Sequence, residues 1–124
     1  MPIKRLTPQV NTPLPNTEPY PGNLELEERI ANTTLWNSTA VVYSGEYLQD
    51  KDYSLGGHTA SPASTSSILH VGMMHHFKES DHVYFQGHSS PWVYGFYYQT
   101  GKVSLQDMQN FRRLGGLPSY HTLF

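Results

Sequence analysis

The sequence predicts an α/β fold, incomplete and mostly helical, with one clear strand near 82–86. Three observations carry this. Val83-Tyr84-Phe85 is a short run of β-branched and aromatic residues of the kind that suits a buried strand. Gln86-Gly87-His88 breaks that run, and Ser89-Ser90-Pro91 then reads as a helix start, with a hydroxyl to cap and a proline that has no N–H to lose. Stretches of helical apolar spacing stand on both sides. A strand followed by a tight turn and a helix N-terminus presents polar side chains at the carboxyl end of a sheet, where α/β enzymes work. An ordinary strand-to-helix connection, in which His88 merely caps or packs, is the competing reading.

Residues 1–22 hold six of the nine prolines, at 2, 8, 13, 15, 19 and 21. Proline at that density excludes a helix, and the segment lacks strand alternation, so an extended arm is expected. Asn23 then caps a helix, with Glu25, Glu27 and Glu28 facing the positive end of its dipole. A rough apolar stripe through Leu26, Ile30 and Ala31 or Thr33, then Trp36 or Asn37, then Ala40 and Val41 carries this helix to about Tyr43. Polar residues from Ser44 to Leu55 read as a loop that ends in Gly56-Gly57-His58. Ser61-Pro62 repeats the cap-plus-proline signature and opens a helix through Ile68, Leu69, Gly72 and His76-Phe77, with Gly72 signalling a close neighbour.

After Pro91 come Trp92, Tyr94, Phe96, Tyr97 and Tyr98, a helix whose aromatics surround it and call for burial on several sides. Thr100-Gly101 ends it. Ser104-Leu105-Gln106-Asp107 is a capping-box variant opening a last helix through Met108, Phe111 and Arg112, which Gly115-Gly116 terminates. One strand cannot make a sheet, so the chain reads as the front part of a larger α/β domain.

Composition narrows the function. A length of 124 residues allows one domain at most. A net charge of −2 gives no footprint for nucleic acid or an anionic membrane. No cysteine is present, which excludes disulfides and thiolate chemistry and suits a reducing compartment. The N-terminus has no apolar leader and no run could span a bilayer, so a cytoplasmic location is expected. The seven histidines raise the question of a metal. No His-Glu-x-x-His pair exists, His70 is poorly spaced from His75 and His76 for one α-helical face, and adjacent His75 and His76 diverge. Packing or surface roles are therefore expected for His70, His75, His76 and His82.

His58 and His88 differ. Each follows a glycine and lies just upstream of a helix start, near free N–H groups that suit an anion or a polarised carbonyl. An imidazole there can donate or accept a proton near neutrality.

The segments PYPGNLELEERI (19–30), GGHTAS (56–61), HVYFQGHSSP (82–91) and SLQDMQNFR (104–112) occur in an order and at separations that resemble the homodimeric type of pyruvate dehydrogenase. The resemblance covers about residues 19–120. It implies that 23–124 form a truncated front portion of a parallel-sheet thiamine diphosphate-binding domain, with magnesium as the second cofactor. It further implies oxidative decarboxylation of pyruvate, acetyl transfer to a lipoyl-bearing acetyltransferase, and a homo-oligomer or partner chain. Carried over by position, His58, His88 and Tyr120 match catalytic residues, and Ser61, Gln86 and His88 match cofactor contacts. No metal ligand is carried over.

Departures accompany the match. The family has glycine where Trp92 stands, Ala-Arg where this chain has Gly95-Phe96, and a longer connector before His82. Its magnesium-holding Gly-Asp-Gly occurs nowhere in the chain, and its pyrimidine-activating glutamate belongs to a later domain. The expectation is a segment that does not turn over pyruvate alone. The alternative is a non-catalytic interaction module using the aromatic helix and the proline-rich arm.

Overall fold

The computed structural model describes residues 21–47 and 55–120, with side chains placed as far as Gly45 in the first stretch. The expected arm lies outside the described residues except for Pro21 and Gly22. Helix α1 spans Leu24–Tyr47, α2 Ala60–Val71, α3 Ser90–Gln99 and α4 Leu105–Gln109. A wide π-turn, Gly72–His76, extends α2, and a 3-10 turn, Gly87–Ser89, leads into α3.

Helix α1 starts where its chemistry says it should. The Leu26 N–H donates to Asn23 Oδ1 at 3.0 Å, and Glu25 and Glu27 lie in the first turn. It continues past Tyr43, so the expected loop begins later than Ser44. Its buried face is partly polar. Thr34 and Ser38 are fully buried, and each hydroxyl turns back to its own helix, Thr34 to the Ile30 carbonyl and Ser38 to that of Leu35. These small residues let α3 come close. A Cβ on Gly95 would stand 2.8 Å from the Thr34 carbonyl oxygen and 3.0 Å from the Ser38 nitrogen. Gln99 Nε2 closes the crossing by donating to Thr34 Oγ1 at 2.5 Å.

The core gathers beside this crossing. Val41 and Val42 of α1 meet Tyr94, Val103, Met108, Phe111 and Leu117, with the Tyr94 and Phe111 rings edge-to-face at 5.9 Å. Trp92, Val93 and Tyr94 have no exposed surface, so the first half of the aromatic run of α3 is interior. The part of the expected interaction surface that falls on Trp92 and Tyr94 is therefore covered, while Phe96, Tyr97 and Tyr98 remain half-exposed.

Other corrections are local. Among the described residues no strand forms, and 82–86 is an irregular segment with Tyr84 95% exposed. A strand exists only through a neighbour's hydrogen bonds, and no described segment pairs with this one. The mostly helical character stands; the sheet of an α/β domain is not in these residues. Helix α2 begins at Ala60, with Thr59 at the cap position, so Ser61 sits inside the first turn, its carbonyl accepting from Ser64 and Thr65 hydroxyls. Ser89 occupies the cap position of α3 without a side-chain cap bond; its hydroxyl pairs with Thr65 Oγ1 at 3.2 Å instead. Helix α4 has the full reciprocal Ser104–Asp107 capping box but stops at Gln109, well before Gly115-Gly116. Arg112, at φ +61°, turns the chain there, and its N–H donates to the Leu117 carbonyl at 2.7 Å.

Burial also marks one phenol for alkaline chemistry. Tyr94 donates its hydroxyl to the Pro118 carbonyl at 2.8 Å, and burial pushes its pKa up to about 12. The folded state therefore keeps a proton that the unfolded chain releases near pH 10. Its stabilising effect is complete below pH ~10 and is lost as pH climbs toward about 12. In a spectrophotometric titration one tyrosine should ionise late, together with unfolding, and Tyr94→Phe should flatten that alkaline loss of stability.

Candidate functional site

The residues expected at the site divide into two groups. His58 is exposed and follows the Gly56-Gly57 turn, whose φ values of +64° and +148° only glycine adopts freely. Two contacts locate this turn. A Cβ on Gly57 would meet Val42 Cγ1 at 3.0 Å, and Arg112 Nη1 donates to the Leu55 carbonyl at 3.1 Å. Arg112 was expected only as a position on a helical stripe. Its left-handed backbone and its reach across to Leu55 make it the residue that fixes the approach to His58. Ser61 follows one turn later, half-buried.

Gln86, His88 and Tyr120 form the second group. All three are exposed, Tyr120 at 69%. The Tyr120 ring lies across the α-carbon of Gly87, in the space a side chain there would fill. The phenol thus sits against the one residue that separates Gln86 from His88. Its position is set from below: Leu117 is buried in the core and the Pro118 carbonyl is held by Tyr94. The contact brings to Gly87 a ring thirty-three positions away in the chain, which no local spacing shows. The two groups hang on neighbouring elements, since the Thr65–Ser89 hydroxyl pair joins α2 to the 3-10 turn that carries His88.

Three hollows are described, and they are lined by other residues. One of about 540 Å³ is framed by α1, Tyr98 and α4; one of about 280 Å³ lies where Trp92 borders α1 and α2; the third flanks Gly72 and Phe77. The catalytic candidates are arranged on an open surface.

The histidines of the α2 end behave in a way their spacing hid. The Phe77 ring folds onto Gly72, 2.5 Å from where a Cβ would be. The Phe77 N–H closes the π-turn on the Gly72 carbonyl at 2.7 Å. With this wider turn His75 Nε2 meets Glu27 Oε2 at 2.9 Å. His70 is nearby: burial lowers its pKa, Glu27 opposes that, and His75 adds to it. No set of three His, Asp or Glu groups among the described residues is placed to hold a metal ion. No helix among them is long and apolar enough to cross a membrane.

No model of a known protein family matches the sequence. Individual relatives do. The chain is similar to the pyruvate dehydrogenase E1 component of Escherichia coli (strain K12), 40% identical over 121 residues, covering 90% of this chain and 13% of that protein. It is 33% identical to the protein of that name from Corynebacterium glutamicum over 132 residues, covering 97% of this chain and 14% of the relative. The Pseudomonas aeruginosa protein of that name is 34% identical over 130 residues, again 97% against 14%. The chain spans about an eighth of the length of the curated relatives it matches. Across nearly all of its own residues, the chain is homologous to one short segment of the pyruvate dehydrogenase E1 component.

Proposed function

We propose that this chain supplies the histidine-bearing side of the active site of a pyruvate dehydrogenase E1 component and does not complete that site alone. The reading is supported above all by the Tyr120 ring resting on Gly87, which gathers a phenol, an amide and an imidazole at one turn. These groups suit the oxygens of a 2-oxo acid. His88 and Tyr120 donate hydrogen bonds to a carbonyl or carboxylate oxygen, Gln86 orients it, and an imidazole can pass a proton to an oxygen that gains charge.

The donor set does not fit the charged end of the implied cofactor. Thiamine diphosphate with magnesium needs several oxygen ligands in near-octahedral array. The chain has no Gly-Asp-Gly, and the described residues offer no cluster that would take the ion. Thiamine diphosphate, magnesium and the lipoyl-bearing partner accordingly belong, in this reading, to a longer protein of which this stretch is one contributor.

Two measurements test it. The chain alone, given thiamine diphosphate, magnesium and pyruvate, should release no carbon dioxide above a His58→Ala control. When this stretch replaces its counterpart in the E. coli relative, His58→Ala and His88→Ala should each lower turnover by ~100-fold or more. A chimera indifferent to both changes would remove the site assignment, and turnover by the isolated chain would remove the claim of incompleteness.

A further inference from the structure

Among the described residues, Arg112 is the one residue other than glycine with a positive φ, +61°. Left-handed backbone is disfavoured for a side chain with a Cβ and persists only where the surroundings over-determine it; such outliers gather at functional sites. The same residue carries a second unfavourable feature, since its Nε is buried and meets no acceptor among the described residues. Glycine would remove both features. It would also remove the side chain that reaches Leu55.

That reach is built in two steps. The guanidinium carbon lies over the ring of Phe111, 5.1 Å from its centroid, and Phe111 is buried in the core. From there Nη1 donates to the Leu55 carbonyl at 3.1 Å and lies 3.3 Å from where a Cβ on Gly56 would be. Leu55 stands three residues before His58, and both residues between are glycines. Glycine has the widest backbone freedom, so the imidazole is only as well placed as the contacts on that pair. One contact is apolar, Val42 Cγ1 at 3.0 Å from the Cβ position of Gly57. The other is the arginine bond, which is directional and tied to the core.

We infer that Arg112 is a positioning residue for His58: anchored on the Phe111 ring, its side chain holds the Leu55-Gly56-Gly57 turn so that the imidazole is presented at a fixed place for proton transfer. This rests on the active-site reading of His58 given above. Arg112→Gly and Arg112→Asn both tolerate left-handed backbone and neither reaches Leu55, so far-UV spectra should show the fold intact. Amide nitrogen relaxation of the full chain reads the positioning without turnover. The heteronuclear NOE of Gly57 and His58 should fall in both variants, while that of Val103 in the core holds. In the chimera with the E. coli relative, each variant should lower kcat by ~10–100-fold with KM within about twofold. Neither should lower kcat further in a His58→Ala background. An unchanged NOE at Gly57 and His58 overturns the inference. So does a loss of kcat that adds in full to that of His58→Ala, because Arg112 would then act elsewhere. The active-site reading fails by a different result, His58→Ala alone leaving the chimera's turnover intact.

Discussion

Trp92→Ala is expected to lower the stability of the fold by about 3–5 kcal/mol, the range for removing a large aromatic from a packed interior. The indole has no exposed surface and stacks on Phe96 at 5.5 Å with the rings 10° from parallel. It borders a hollow shared with Ala31 and Leu35 of α1 and Ser67 and Val71 of α2, so truncation enlarges a space that is already imperfectly filled. Small domains hold only ~5–15 kcal/mol in total, so this one change should move the urea midpoint far down. The slope of the transition should stay constant if the unfolded state is unaffected. A loss below ~1 kcal/mol would mean that the ring fills space the helices do not need.

How much of this was legible in the sequence follows from how local each feature is. The Asn23 cap and the Ser104–Asp107 box depend on residues three apart, and both were readable and are present. So was the demand of the α3 aromatics for burial, although it could not say that α1, α2 and α4 would meet it. The segment 82–86 has the composition of a strand, but pairing is a property of two segments, and composition gives only one of them. The π-turn depends on Phe77 lying on Gly72, and it converts an unfavourable histidine spacing into a bond to Glu27, forty-eight residues away. At the candidate site the glycine-histidine turns were visible as local punctuation. The Tyr120 contact with Gly87 and the Arg112 bond to Leu55 were not, because both join distant parts of the chain.

Gly95→Val is the second large effect expected, a loss of about 3 kcal/mol from overpacking at the α1–α3 crossing. The atoms in the way are backbone, the Thr34 carbonyl at 2.8 Å and the Ser38 nitrogen at 3.0 Å, with Asn37 Cβ at 3.2 Å, so no side-chain rotation relieves the contact. Alanine sets two terms against each other. Its helix propensity favours it over glycine by ~1 kcal/mol, whereas overpacking costs ~1–3 kcal/mol, so a net loss is expected. Trp92 and Gly95 are three residues apart on α3, which crosses α1 closely at Gly95. The two positions therefore share one seam: a bulky buried ring on one flank of the helix, and no side chain where the helix approaches its neighbour. A double-mutant cycle measures this. Gly95→Ala should cost clearly less in a Trp92→Gly background than in the native chain, with a coupling of about 0.5–3 kcal/mol, as for residues that share a packing seam. Strict additivity in urea unfolding would show two independent changes and would leave the close crossing of α1 and α3 to Gly95 alone.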